Sequence, residues 1–550
     1  MADVDEARAP GEVAGGGEHQ SDAGQSGVGP SNGGPSNVGR RAANGELSWT
    51  ADGALAAPAL NLRNLRQKLD DVDPRIVAWS KYLPLAVLVV LYAVHFSQVT
   101  VAMLRAFDQP AYDMAMPDQG IWLLSRFHDP FLTVAGRNLF GDHPSFIYLV
   151  LVPVYWVYPH TSVLLVAQAM LQAAGAIPIF LLARYLLRSS FLATLLAAAY
   201  LLSPVLQQTD LEQFHVEAFE TPLIALAIYA GVVWRPRLFL LCIALLLLCK
   251  EDSALYTVPL AAWVAIRRDR NVGVIAIVAS AAVAAFDNLF LIPALIGYAS
   301  AHGGRLPFGG LGGTLRTLAR RPGQFWNYLT SQGRPWYLWQ MSFSAGLFFL
   351  IAPEIAAIGL LELAANVISG FGYQHQIIYH YSMPLVAVFV CGTVYAISRL
   401  RSAASQRNAS IFVVFCALWA CVLWGAAPFS DDGITAPSTD TPALVGARQL
   451  MAGIPPNAVM SVVQNFVPAL DHRTGIYMWP NPFHQVYYGN PKYDGTEHPA
   501  ATRVQYLLLP ACISCDEGTS PWQSVFAQVV PKFRVVARST YDVLYERRNS

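Results

Sequence analysis

The chain has 550 residues, of which 54% are hydrophobic and only 13% charged. That balance exceeds what a soluble core needs and places the protein among membrane proteins. Its 36 basic and 36 acidic residues leave a formal net charge of zero, so nothing in the charge balance suggests a nucleic-acid partner.

Residues 1 to 75 are dominated by Gly, Ala, Ser, Asn and Asp, as in GGGEHQSDAGQSGVGPSNGGPSNVG. Too few apolar groups are present to offset the entropy of ordering, so a disordered tail is expected. No charged stretch leads into an apolar run near the start, and a cleaved leader is not expected. The first apolar run, LPLAVLVVLYAVHFSQVTVAM from Leu83 to Met103, matches the ~20 residues that a spanning helix needs.

Further apolar segments follow at about 145–158, 162–183, 191–206, 218–234, 238–266, 272–297, 340–369, 382–398 and 411–428. The fold class expected is an all-α polytopic bundle of about 11 to 13 membrane segments over residues 76–428. Short basic connectors at Arg184 and Arg188, Arg235 and Arg237, Arg267 to Arg270, and Arg399 to Arg407 set the orientation if they are cytoplasmic. The tail is then inside. The loop 104–143, the connector QQTDLEQFHVE, the turn GYQHQIIYHY and residues 429–550 are outside. KED at 250–252 becomes an outward tip, APE at 352–354 an inward one, and the segment 145–158 must be re-entrant or half-crossing. The loop 298–339, placed outside, carries five arginines against that rule.

From about residue 430 the composition turns soluble. DTPALVGARQLMAGIPPNAVMSVVQ reads as helix, turn and strand, and VQYLLLP, FRVVARS and YDVLYERR read as further strands. A small extracytoplasmic α/β domain is expected over 429–550. Cys512 and Cys515 form a single C-x-x-C; without a second pair it reads as a local disulfide or two free thiols, not a zinc site.

The informative residues are ionisable groups that apolar surroundings should exclude. CKEDSALY brings Lys250, Glu251 and Asp252; FHVEAFE brings His215 and Glu217, with Glu212 before them; GDHPSF brings Asp142 and His143; QHQIIYHY brings His380 and Tyr381. On a helix His215 and Glu217 would diverge by about 200°, but on an extended entry they can reach one pocket. AYDMAMPDQGIW carries Asp113 and Asp118, five apart and so about 140° apart on one continuous helix. Pro117 argues for a break, with a turn at Asp113 and a helix starting near Pro117 with Asp118 in its first turn. There Asp118 has a structural role with the helix dipole, and catalytic acids and helix-start charges remain equally open.

The order YDxxxxDQxxW, GDHPSFIYLVLVPVYWVYP, FHVEAF, KEDSALY, HYSMPL and NFVPALDHRTGIYMWP, spread over roughly residues 80 to 540, resembles the bacterial membrane family named domain of unknown function 2079. That family is grouped with the GT-C superfamily of integral-membrane glycosyltransferases. The resemblance implies a multi-pass protein of the bacterial plasma membrane that transfers a sugar from a polyprenyl-phosphate donor to an extracytoplasmic acceptor. An acid of the first external loop then serves as base or metal ligand, and the matching positions are Asp113 and Asp118, with a lean to Asp113. Lys250, His143 and His215 become candidates for charge stabilisation at the leaving phosphate. Glu217, Glu251 and Asp252 become orienters or metal ligands, and Asp142, His380 and Tyr381 complete the substrate-binding set. A divalent metal would fall among Asp113, Asp118 and Glu217. The rival readings are a transporter or flippase that uses the intramembrane charges, and a non-catalytic envelope scaffold.

Overall fold

The computed structural model describes residues 79–298, 304–431, 433–512 and 522–548. The disordered tail expected over 1 to 75 and Cys515 lie outside the described residues.

Among the described residues, five helices are long and apolar enough to cross a bilayer: Leu83–Arg105, Ser162–Leu187, Arg270–Ile296, His380–Ser398 and Ala403–Trp424. A sixth candidate, Ser190–Leu201 with Pro204–Leu211, is bent by 45° at Pro204. Proline at a first helical turn also opens Pro236–Leu246, Met383–Ser398 and Pro442–Ala452, where its fixed φ fits and its missing N–H costs nothing. The protein is a multi-pass membrane protein.

The segment expected to be re-entrant or half-crossing forms a 3-10 turn Phe146–Leu151 that runs into the α-helix Val152–Val157, together about 21 Å long and too short to span. The arms on either side of KED are likewise short, Pro236–Leu246 and Ala254–Arg267. They do not form a closed pair: the first packs on Glu217–Val232 and the second on Arg270–Phe286. Their divergence leaves Lys250 and Glu251 buried in the gap, not solvated at a tip. At another end of the bundle Glu354 of the APE segment pairs with Arg399 of a basic connector.

The stretch after the first membrane helix departs from the expected break. Residues Ala111–Ser125 form one continuous helix that runs through Pro117. Pro117 cannot donate to the Asp113 carbonyl, a loss of about 3 kcal/mol or more in a helix interior. Burial on two sides offsets it. Ala111 and Ala115 pack with Met460, Val462 and Met478 of the C-terminal part, whereas Met114 and Ile121 pack with Tyr155, Phe214 and Phe219 of the membrane part.

A short hairpin follows this helix, β1 (Phe131–Leu132) with β2 (Arg137–Asn138). The C-terminal part holds a five-stranded sheet built from β3 (Met460–Val462), β4 (Ile476–Met478), β5 (Tyr506–Pro510), β6 (Phe533–Arg538) and β7 (Asp542–Arg547). Its order is β4-β3-β5-β7-β6. β3 is parallel to β4 and β5, and β7 is antiparallel to both β5 and β6. The helix Pro442–Ala452 and strands β3, β5, β6 and β7 fall where the hydrophobic pattern put them. β4, in TGIYMWP, did not stand out from its surroundings.

Candidate functional site

The helix Ala111–Ser125 lies between the sheet and the membrane helices, and a cavity of about 620 Å³ opens beside its first turns. Asp113, exposed, lines that cavity together with Asp142, His143, His215, Glu217, Lys250, His380 and Tyr381. Residues from five separate sequence motifs, in four connectors, therefore share one space. The hairpin β1–β2 adds Arg137, and residues 487–494 of the C-terminal part add Tyr487, Tyr488 and Asp494. Tyr112 donates to the Tyr487 carbonyl at 3.2 Å and Tyr298 to that of Gly489 at 2.7 Å, which holds this loop against the cavity.

The charged walls are paired. Lys250 Nζ lies 2.8 Å from Glu217 Oε1 and 3.6 Å from Asp252 Oδ2. Arg137 Nε lies 2.8 Å from Asp142 Oδ1. His143 Nδ1 lies 3.0 Å from Glu251, so Glu251 and Asp252 do not line the cavity but fix residues that do. Burial pulls the His143 imidazole down, yet the charge and hydrogen bond of Glu251, helped by Asp142, raise it above its ordinary value. The Tyr381 ring has Arg305 at 5.5 Å and Lys250 at 5.9 Å from its centre, so two cations converge on one aromatic ring.

Deeper in the cavity wall, the His215 and His380 rings stack at 3.7 Å. Glu212 joins them: its Oε2 lies 3.2 Å from His380 Nδ1, 3.4 Å from His215 Nε2 and accepts the His380 amide at 2.6 Å. Burial lifts the Glu212 carboxyl to about 7 against the opposing pull of His215. Burial, with the charge of His380, pushes the His215 imidazole below its ordinary value against the pull of Glu212. His215 Nε2 is buried and makes no hydrogen bond. One ligand atom from each of these three residues lies within 4.8 Å of the others, a nitrogen and carboxylate set suited to a borderline divalent cation.

Asp118 is elsewhere. On the continuous helix it points away from Asp113, is fully buried, and accepts from the Tyr155 hydroxyl, with His472 Nε2 at 3.1 Å. Burial pushes its carboxyl up, but His472 and the hydroxyls of Thr161 and Tyr155 outweigh that and hold it below the ordinary range. Asp113, Asp118 and Glu217 consequently do not form one metal-ligand set.

The sequence pointed to Glu212 only as a neighbour of His215 and Glu217, and did not single out Arg137, Arg305 or the 487–494 loop. Glu212 was visible as a third acid beside His215, and Arg305 as one of the arginines that violated the charge rule. Nothing local marked the tyrosine-rich loop.

A second void of about 430 Å³ has no lining residue in common with the first but is lined by neighbouring residues of two of the same segments. Wholly apolar side chains line it, among them Ile147, Val150, Ile177, Leu181, Phe219, Leu223 and Leu245. It abuts the cavity through the segment 145–148 and the start of the helix Glu217–Val232.

The fold is similar to that of ArnT from Cupriavidus metallidurans. The crystal structure of that protein bound to undecaprenyl phosphate superposes with a TM-score of 0.52 at 13% identity, covering 84% of this chain and 97% of that one. Its apo structure gives 0.50 at 12% identity over the same shares. The architecture is accordingly that of the ArnT fold, a helical membrane bundle with a small C-terminal sheet region. No curated protein sequence matches the chain. The model of the family DUF2079, described as predicted membrane protein, matches residues 104–539, and the chain belongs to that family.

Proposed function

We propose that the protein is a membrane glycosyltransferase that moves a sugar from a polyprenyl-phosphate carrier to an acceptor at the extracytoplasmic face. One observation carries this reading: an exposed carboxylate, Asp113, faces a cation- and tyrosine-walled cavity that adjoins a wholly apolar groove. A polar head and a long hydrocarbon tail need that pair of environments side by side. ArnT, of the same fold, is known in complex with undecaprenyl phosphate, which fits such a donor.

In this reading Asp113 takes the proton of the acceptor hydroxyl as its oxygen bonds the anomeric carbon. The bond from that carbon to the phosphate oxygen breaks, and the carrier phosphate leaves with the electron pair. Lys250 and Arg305, gathered on Tyr381, balance the growing negative charge. Glu217 holds Lys250 in place. A divalent cation on Glu212, His215 and His380 would add positive charge beside the phosphate. The tail is cytoplasmic in this scheme and the sheet extracytoplasmic, because the arginine connectors then stay inside.

The test is turnover of polyprenyl-phosphate sugars by purified protein in lipid nanodiscs, read as released polyprenyl phosphate. Asp113→Asn is expected to lose about 10²- to 10⁴-fold in turnover, the usual worth of a positioned general base. Equal rates in Asp113→Asn and wild type would remove Asp113 from the chemistry. Absence of turnover with every donor would defeat the glycosyltransferase reading.

A further inference from the structure

The helix that presents Asp113 to the cavity buries a second polar group on its other side. Asp118 and Asp471 are 0% and 1% exposed, and His472 reaches in beside them. His472 Nε2 lies 3.1 Å from Asp118 Oδ1 and 4.0 Å from Asp471 Oδ1. One ligand atom from each of the three lies within 4.8 Å of the others. The second oxygen of each carboxylate, Asp118 Oδ2 and Asp471 Oδ2, is buried without a hydrogen-bond partner.

Two buried carboxylates this close require positive charge, or a proton, between them. Arg473 is next in the chain but spends its guanidinium on the carbonyls of Leu470 and Ala458. A dication would neutralise both acids and give the two orphaned oxygens a partner. The His472 ring is already oriented for it, stacked on Trp122 with centres 5.8 Å apart and planes 13° from parallel.

We propose that Asp118, Asp471 and His472 hold one divalent transition-metal cation of the Zn²⁺ or Mn²⁺ class, separate from the cavity, which fastens the C-terminal segment to the helix carrying Asp113. An imidazole with two carboxylates favours those ions over Ca²⁺ and Mg²⁺, which take oxygen ligands. The flanking contacts hold the same two segments in register. Gln119 Nε2 donates to the Arg473 carbonyl at 3.0 Å and to Thr133 Oγ1 at 2.9 Å, and Thr133 Oγ1 accepts the Ile476 amide at 3.0 Å.

The experiment uses full-length protein in detergent, stripped with EDTA, reloaded separately with Zn²⁺ and Mn²⁺, desalted, and assayed by inductively coupled plasma mass spectrometry. His215→Ala first removes a ligand from the cavity's own Glu212–His215–His380 group. The His215→Ala protein is expected to retain one equivalent of metal per chain, and to lose it when His472→Ala or Asp471→Asn is added. A metal-free His215→Ala protein after both reloadings overturns the proposal, as does an unchanged metal content in the double variants. Should the double variants fail to elute as one monodisperse species, Co²⁺ reloading of His215→Ala decides. Visible absorption of imidazole-ligated Co²⁺ is the expected result, and the spectrum of aqueous Co²⁺ alone overturns it.

Discussion

Asp113 and Asp118 leave one helix on opposite sides, and their surroundings give them different work. Asp113 meets the cavity, whereas Asp118 is sealed against Tyr155 and His472. Asp118→Asn is therefore expected to act mainly on stability, by about 1 to 3 kcal/mol for a buried charged partner left unmatched. The measurement is the thermal midpoint in detergent beside turnover at saturating donor. A midpoint equal to wild type with turnover as low as in Asp113→Asn would refute the assignment. His143 carries a pH dependence. Its folded pKa is raised above the unfolded value of about 6.5 by Glu251, so the ion pair contributes fully below that pH and is lost as pH rises through the folded value. The midpoint advantage of wild type over His143→Gln should shrink from pH 6 to pH 9, and a constant or growing gap would contradict it.

At the scale of elements, the tight turn between Ala254–Arg267 and Arg270–Phe286 depends on two residues. Asp269 caps the second helix by accepting from the amides of Asn271 and Val272. Gly273 lets the backbones meet: a Cβ there would stand 2.4 Å from Ala265 N and 2.5 Å from Ala265 Cα, atoms that cannot swing aside. Gly273→Ala is expected to destabilise the protein by about 1 to 3 kcal/mol, as overpacking does. Gly323→Ala, where nothing lies within 4 Å, should stay within about 0.5 kcal/mol of wild type. The fraction surviving a heat step, read by size-exclusion chromatography, compares the two; equal losses would mean the close approach is not what the glycine serves.

For the whole molecule, the juxtaposition of polar cavity and apolar groove makes a prediction that no single residue makes. Leu223 lines the groove and not the cavity, so Leu223→Trp is expected to fill the groove. It should raise KM several-fold for a long-chain polyprenyl donor and leave KM for a donor with a two- or three-isoprene tail near wild type. An equal rise for both donors would place the tail elsewhere.

Much was legible in the sequence because the physics was local. Apolar runs of spanning length, the turn to soluble composition near residue 430, and the alternation in YLLLP and YDVLYERR each reflect one segment meeting its solvent or its neighbour strand. Polar groups at the ends of apolar runs were legible for the same reason, since burying them has a cost that a chain seldom bears without a partner. The assembly was not local. Whether Pro117 ends a helix depended on burial from both sides, by the sheet and by the membrane part together. Tertiary packing also sent Asp118 away from the cavity, paired it with His472 from 354 residues further on, set Glu212 beside His215 and His380, and brought Arg137 and Arg305 to the cavity wall. Composition and spacing along the chain marked which segments are apolar enough for a membrane and which side chains are expensive to bury. The tertiary structure decided which of those side chains meet, because contact between distant segments is set by packing and not by their spacing along the chain.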